Sequence, residues 1–87
     1  MKYRSRTDIV SQILEAANSG ATKTRIMYEA FLSYSQLTGY LGLLLTNGLL
    51  DYQEGEAKFR TTSKGVKFLE ISNQMGKLTG PMLERVK

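Results

Sequence analysis

The chain has 87 residues, 41% of them apolar, no cysteine or histidine, and a formal charge of +4. That length supports one small core and leaves no room for a second. The composition excludes disulfide staples, thiolate or imidazole zinc sites, Cys/His nucleophile pairs and histidine general bases. Its eight carboxylates form no recognisable catalytic set, so the reading is of a protein that is not an enzyme and needs no metal or cofactor.

The absence of cysteine points to a reducing compartment. The run Leu43-Leu44-Leu45 is far too short to span a bilayer, and the opening "MKYRSRTD" lacks the apolar stretch of a signal peptide. A cytoplasmic protein without a membrane partner is the expectation. Charge is unevenly distributed. Lys2, Arg4, Arg6, Lys23 and Arg25 outnumber Asp8 and Glu15 in the first part, and residues 26–57 carry only Glu29, Asp51, Glu54 and Glu56. From Lys58 onward bases again dominate. A basic balance of this kind suits an anionic partner such as nucleic acid.

In "TDIVSQILEAANSG", Ile9, Ile13, Leu14 and Ala17 share one helical face, which predicts a helix at about 7–18. Thr7 is its expected N-cap with Asp8 in the first turn, and Asn18-Ser19-Gly20 its stop. A shorter helix follows in "TKTRIMYEAFL", capped by Thr22 or Thr24, with Ile26, Met27, Ala30 and Phe31 as its apolar stripe. Ser33 with Gln36 three residues on forms a capping box, so a third helix runs from about Tyr34 to Thr46 and stops at Asn47-Gly48. Two helices joined by so short a link make a helix-turn-helix.

The period then changes from helical to alternating. "LLDYQ" and "AKFRTT", around the turn Glu54-Gly55-Glu56, read as a β-hairpin in which Leu50 and Tyr52 share one side, as do Ala57, Phe59 and Thr61. Thr62 or Ser63 caps a fourth helix carrying Val66, Phe68, Leu69 and Met75, which Gly80-Pro81 breaks. The fold class is therefore mostly α with a small β-hairpin (α+β), a winged helix-turn-helix with a C-terminal helix. Its parts are a basic arm (1–6), the winged domain (7–66) and a C-terminal helix (67–87) interrupted near Gly80-Pro81.

On the third helix, Leu37, Tyr40, Leu41, Leu44 and Leu45 lie on one side and define the core face at 100° per residue. The opposite side carries Ser35, Gly39, Gly42 and Thr46, flanked by Gln36 and Thr38. Each internal glycine costs roughly 0.5–1 kcal/mol relative to alanine, and close approach of the helix backbone to a DNA duplex would account for both. In this motif the second helix of the pair enters the major groove, N-terminal end first. Tyr34, Ser35, Gln36, Thr38 and Gly39 are thus candidate DNA contacts, with Gln36 able to pair with adenine. Tolerance of the glycines by a leucine-packed helix, and packing of this smooth side on another protein, are the competing readings.

The third helix has no Lys or Arg, so phosphate contacts must come from elsewhere. Candidates are Arg4 and Arg6 with Lys2 in the arm, Lys23 and Arg25 at the start of the second helix, Lys58 and Arg60 on the second strand, and Lys64 at the start of the fourth helix. Glu54 and Glu56 place two carboxylates at the wing tip, which argues against that tip touching phosphates.

The stretches "KTRIMYEAFLSYSQLTGYLGLLLTNGLLDY" and "FRTTSKGVKFLE" resemble a family of archaeal winged-helix proteins that includes the small coiled-coil chromatin proteins of Sulfolobus. The likeness lies in Lys23 to Tyr28, Leu32 to Tyr34, and Thr62 with Lys64-Gly65, over about residues 7–70. It implies a nucleoid-associated, DNA-binding regulator or chromatin component, dimeric through its C-terminal helix. Phe68, Ile71, Met75, Leu78 and Met82 keep the spacing of a coiled-coil seam, so Phe68, Ile71, Met75 and Leu78 are the candidate dimerisation residues. Gly76 and Gly80-Pro81 depart from a long coiled coil. The alternative is a winged-helix protein-protein interaction module without direct DNA binding.

Overall fold

The computed structural model describes residues 4–73, in the order α1 (Arg6–Ala16), α2 (Lys23–Glu29), α3 (Tyr34–Thr46), β1 (Leu50–Gln53), β2 (Lys58–Thr61) and a helical segment over 63–73, α4. Lys2, Met75, Gly76, Leu78, Gly80-Pro81 and Met82, all used in the sequence reading, lie outside the described residues.

Local chemistry accounts for each start. Ser5, not Thr7, caps α1. Its Oγ accepts the Asp8 N–H at 3.0 Å while the Asp8 carboxylate accepts the Ser5 N–H at 3.3 Å. The reciprocal box needs a carboxylate or amide three residues after the cap. Ser5 has Asp8 there and Thr7 has only Val10, so the helix begins one residue earlier than expected. It also ends two residues earlier, at Ala16. Thr22 Oγ1 caps α2 by accepting the Arg25 N–H, and Ser33 with Gln36 forms the expected box on α3. Asn47 and Gly48, with φ +74°, close α3 as the sequence suggests.

Two apolar residues lie elsewhere than their spacing suggests. Phe31 is not on the α2 stripe. It follows the C-cap Ala30 with φ +55° and is 80% exposed. Its N–H donates to the Tyr28 carbonyl and the Leu32 N–H to the Met27 carbonyl, the paired bonds of a Schellman turn. Reversing the chain between Ala30 and Ser33 requires that left-handed residue, which turns the ring outward. Leu45 is 38% exposed rather than buried, because it lies at the margin of the α3 core face and looks toward the hairpin.

In the hairpin Leu50 pairs with Thr61, Asp51 with Arg60, Tyr52 with Phe59 and Gln53 with Lys58. Tyr52 and Phe59 stack at 4.9 Å between centroids. Ala57 leaves the expected strand: with φ +54° it completes the turn after Glu56. Ala21 exchanges both backbone bonds with Phe59, adding a one-residue third rung to the sheet.

Val10, Ile13, Leu14 and Ala17 around α1, Ile26 and Ala30 of α2, and Leu37, Leu41 and Leu44 of α3 form the core with Leu50 and Leu69. Each fully buried leucine or isoleucine contributes about 1.5–3 kcal/mol. Thr62 Oγ1 accepts the Gly65 N–H and donates to the Gly48 carbonyl, so it both caps α4 and ties it to the end of α3. From there α4 runs to Ser72, whose hydroxyl lies 3.0 Å from that of Ser11 on α1. Phe68 packs partly on this core, while Ile71 is about half exposed.

Candidate nucleic-acid interface

With Leu37, Leu41 and Leu44 directed inward, α3 turns Ser35, Gly39, Gly42 and Thr46 to solvent, and every one of them is exposed. A Cβ built on Gly39 or Gly42 would meet nothing within 4 Å. No packing within the described chain therefore calls for glycine at either position.

This bare strip lies between two shallow grooves. Toward α1 the lining is Arg6, Val10, Ser35, Gln36, Gly39, Tyr40 and Leu43; toward the hairpin it is Lys23, Leu45, Tyr52, Ala57 and Phe59. Arg6 is thus brought beside Ser35, Gln36 and Gly39, in a groove that Val10, Tyr40 and Leu43 make largely apolar. Leu43, which the sequence reading did not single out, is half-exposed on the same side. Its angle from Leu37 on the helical circumference was the available signal.

Three of the polar side chains on α3 are already engaged. Gln36 Oε1 accepts the Ser33 N–H at 3.0 Å, leaving its amide N–H groups free. Bidentate pairing with adenine uses both ends of the amide, so it requires that capping bond to open. The Thr38 hydroxyl donates to the Tyr34 carbonyl at 2.9 Å, and the Ser35 and Ser33 hydroxyls lie 3.4 Å apart. The Lys23 ammonium stands 4.0 Å from the Tyr34 ring centroid. The nearby Lys23 ammonium lowers the Tyr34 phenol pKa from its ordinary value.

The remaining cations are distributed around this surface. Arg25 pairs with Glu29 at 2.7 Å, one turn along α2, and both stay exposed. The Arg4 guanidinium is engaged at the end of α2, donating to the Ala30 and Phe31 carbonyls and to Gln12 Oε1. Lys64 donates to the Asn47 carbonyl at 2.9 Å, at the far end of α3. Lys58 and Arg60 extend toward Gly20, on the hairpin side opposite the Tyr52–Phe59 stack that meets α3. The structure therefore unites Arg6, Lys23, Tyr34, Ser35, Gln36, Thr38 and Gly39 around the N-terminal half of α3. It sets Lys58, Arg60 and Lys64 apart from them. Glu54 and Glu56 are exposed at the wing tip, as expected.

Two helices joined by a tight turn, a third packed across them, and a hairpin beside the exposed helix define a winged helix-turn-helix domain. The chain belongs to the winged helix-turn-helix family, whose model matches residues 3–80. An uncharacterized protein of Methanocaldococcus jannaschii is 34% identical over 65 residues, covering 74% of this chain and 65% of that protein, just under two thirds of the relative's length. The crystal structure of Sso10a-2, a DNA-binding protein from Sulfolobus solfataricus, matches with a TM-score of 0.84. That match covers 94% of this chain and 88% of the other at 21% identity, a likeness of fold. Among the described residues no helix is long and apolar enough to cross a membrane.

Proposed function

We propose that this protein binds double-stranded DNA without catalysing a reaction, with the outer side of α3 in the major groove. The observation that carries the reading is the open space at Gly39 and Gly42. Two helix-interior glycines are kept at roughly 0.5–1 kcal/mol each, and no contact inside the described chain uses them. A duplex groove uses them, because the missing side chains let the helix backbone sit deep. In this reading Tyr34, Ser35, Gln36 and Thr38 face base edges and nearby phosphates. Arg6, Lys23 and Arg25 neutralise phosphates beside the helix, with Lys58, Arg60 and Lys64 serving the flanking backbone. Arg4 orders the α2–α3 turn rather than reaching the duplex by itself. The likeness to Sso10a-2 supports the same partner class.

The proposed role is that of a transcriptional regulator or nucleoid-associated protein, acting as a homodimer through Phe68 and Ile71 together with Met75 and Leu78. Titration of random and genomic duplexes at two salt concentrations tests DNA binding, and sedimentation tests the dimer. Binding that falls steeply as salt rises is expected, since each neutralised phosphate releases counterions. No duplex binding at low salt would leave the second reading, a protein-interaction module. The apolar groove of Leu45, Tyr52 and Phe59 beside the acidic wing tip favours that alternative.

A further inference from the structure

We infer that Phe31 is a base-reading residue that lays its ring on thymine methyl groups at the edge of the major groove. The inference rests on the DNA-binding reading above and adds to it a determinant of sequence preference. Phe31 adopts φ +55°, a conformation that glycine enters freely and an L side chain enters only at a cost. Burial of the ring could offset such strain. Phe31 is not buried: it is 80% exposed, against 70% for Tyr28 and 65% for Tyr34.

The strained turn is firmly held. Besides the two Schellman bonds, Arg4 Nη2 donates to the Phe31 carbonyl at 3.0 Å, and Arg4 Nη1 donates to the Ala30 carbonyl and to Gln12 on α1. The ring is therefore presented from a fixed backbone. Backbone strain held this firmly is the kind found at functional positions.

Position and chemistry indicate what the ring meets. Phe31 stands two residues before the Ser33 cap of α3, at the end that enters the groove first, with Lys23 and Arg25 on the preceding helix. It lines neither of the two grooves beside α3. A phenyl ring has no hydrogen-bonding group, and the thymine C5 methyl is the apolar feature of the major-groove edge.

The test compares a short A·T-rich duplex with the same duplex carrying deoxyuridine in place of every thymidine, titrated with the full chain and with Phe31→Gly. The full chain should bind the methyl-free duplex about fourfold more weakly per methyl covered, the effect of burying one such group. Phe31→Gly should bind both duplexes alike and more weakly than the full chain binds the thymine duplex. Its salt dependence should be unchanged, since no phosphate contact is removed. Its melting temperature should hold or rise, because glycine suits this turn. Equal binding of both duplexes by the full chain, or undiminished binding by Phe31→Gly, overturns the assignment while leaving DNA binding intact. Absence of any duplex binding at low salt overturns the DNA reading, and this inference with it.

Discussion

The Thr61 hydroxyl donates to the Leu14 carbonyl across 2.6 Å in a buried setting. That carbonyl lies in the last turn of α1, and the Asn18 N–H that would ordinarily claim it bonds instead to Glu15. The second strand thus supplies the missing donor for a frayed helix end. Thr61→Val keeps the shape and leaves the acceptor unsatisfied, which should cost about 1–3 kcal/mol. Urea denaturation checks this, and an unchanged midpoint would show that the carbonyl finds water instead.

At Gly65, α4 lies close against the Leu49 backbone and Thr61. A Cβ there would lie 2.5 Å from the Leu49 carbonyl oxygen and 2.5 Å from Thr61 Cγ2. The Leu49 carbonyl cannot retreat easily, because it accepts the Thr62 N–H at 3.1 Å. Gly65→Ala should therefore displace α4 and destabilise the protein by about 1–3 kcal/mol. Gly55→Ala, with nothing near its added methyl, should stay within about 0.5 kcal/mol of the parent. Thermal melts of the two variants side by side separate a packing requirement from a general intolerance of alanine.

Much of this fold was legible because its signals are local. The Ser33–Gln36 box, the Asn47-Gly48 stop and the Leu37–Leu41–Leu44 stripe each depend on residues within a few positions of one another. The outer side of α3 was legible for the same reason, since 100° per residue needs no knowledge of neighbours. Phe31 was misplaced because helical spacing continued one residue beyond Ala30, where the chain has to reverse to reach Ser33. The engagement of Arg4, Lys64, Lys58 and Arg60 was not legible. Their long side chains find acceptors or packing partners that exist only once α2, α3 and the α1–α2 loop are in place.

Arg25 and Lys58 test the electrostatic part of the proposal. The exposed Arg25–Glu29 pair is worth only about 0.2–0.5 kcal/mol to the helix, so Arg25→Ala should scarcely alter stability. On DNA, Arg25→Ala and Lys58→Ala should each weaken all duplexes by similar factors. Each should lower the slope of log affinity against log salt by about one unit for every phosphate no longer neutralised. An unchanged slope for Lys58→Ala would assign the Lys58 side of the hairpin to the surface facing away from the duplex.

Gln36 has one observed role and one proposed role, and substitution can separate them. Its Oε1 completes the α3 capping box, and its amide N–H groups are available to a base. Gln36→Glu keeps the capping acceptor and places a carboxylate near the helix N-terminus, so the melting temperature should be retained. The donor to a base edge is removed, and sequence preference should shift. Gln36→Ala should change preference too, and lower stability by about 0.5–1.5 kcal/mol as the capping bond disappears. If selection from a random duplex pool returns the same preferred sequences for all three proteins, Gln36 reads no base.

The glycines of α3 provide the most direct test of the DNA reading, because stability and binding should move in opposite directions. Nothing lies within 4 Å of a methyl added at Gly39 or Gly42, so alanine there meets no steric penalty in the free protein. It gains helix propensity instead, and each substitution should stabilise the fold by roughly 0.5–1 kcal/mol. In a duplex groove the same methyl groups would hold the helix backbone away from the bases and lengthen the contacts made by Ser35 and Thr38. Duplex affinity should therefore fall in Gly39→Ala and fall further in the double variant, while the melting temperature rises. If binding survives as stability increases, α3 does not approach DNA through this side. If the melting temperature falls instead, the glycines serve a contact that the described chain does not contain, such as one with a second copy.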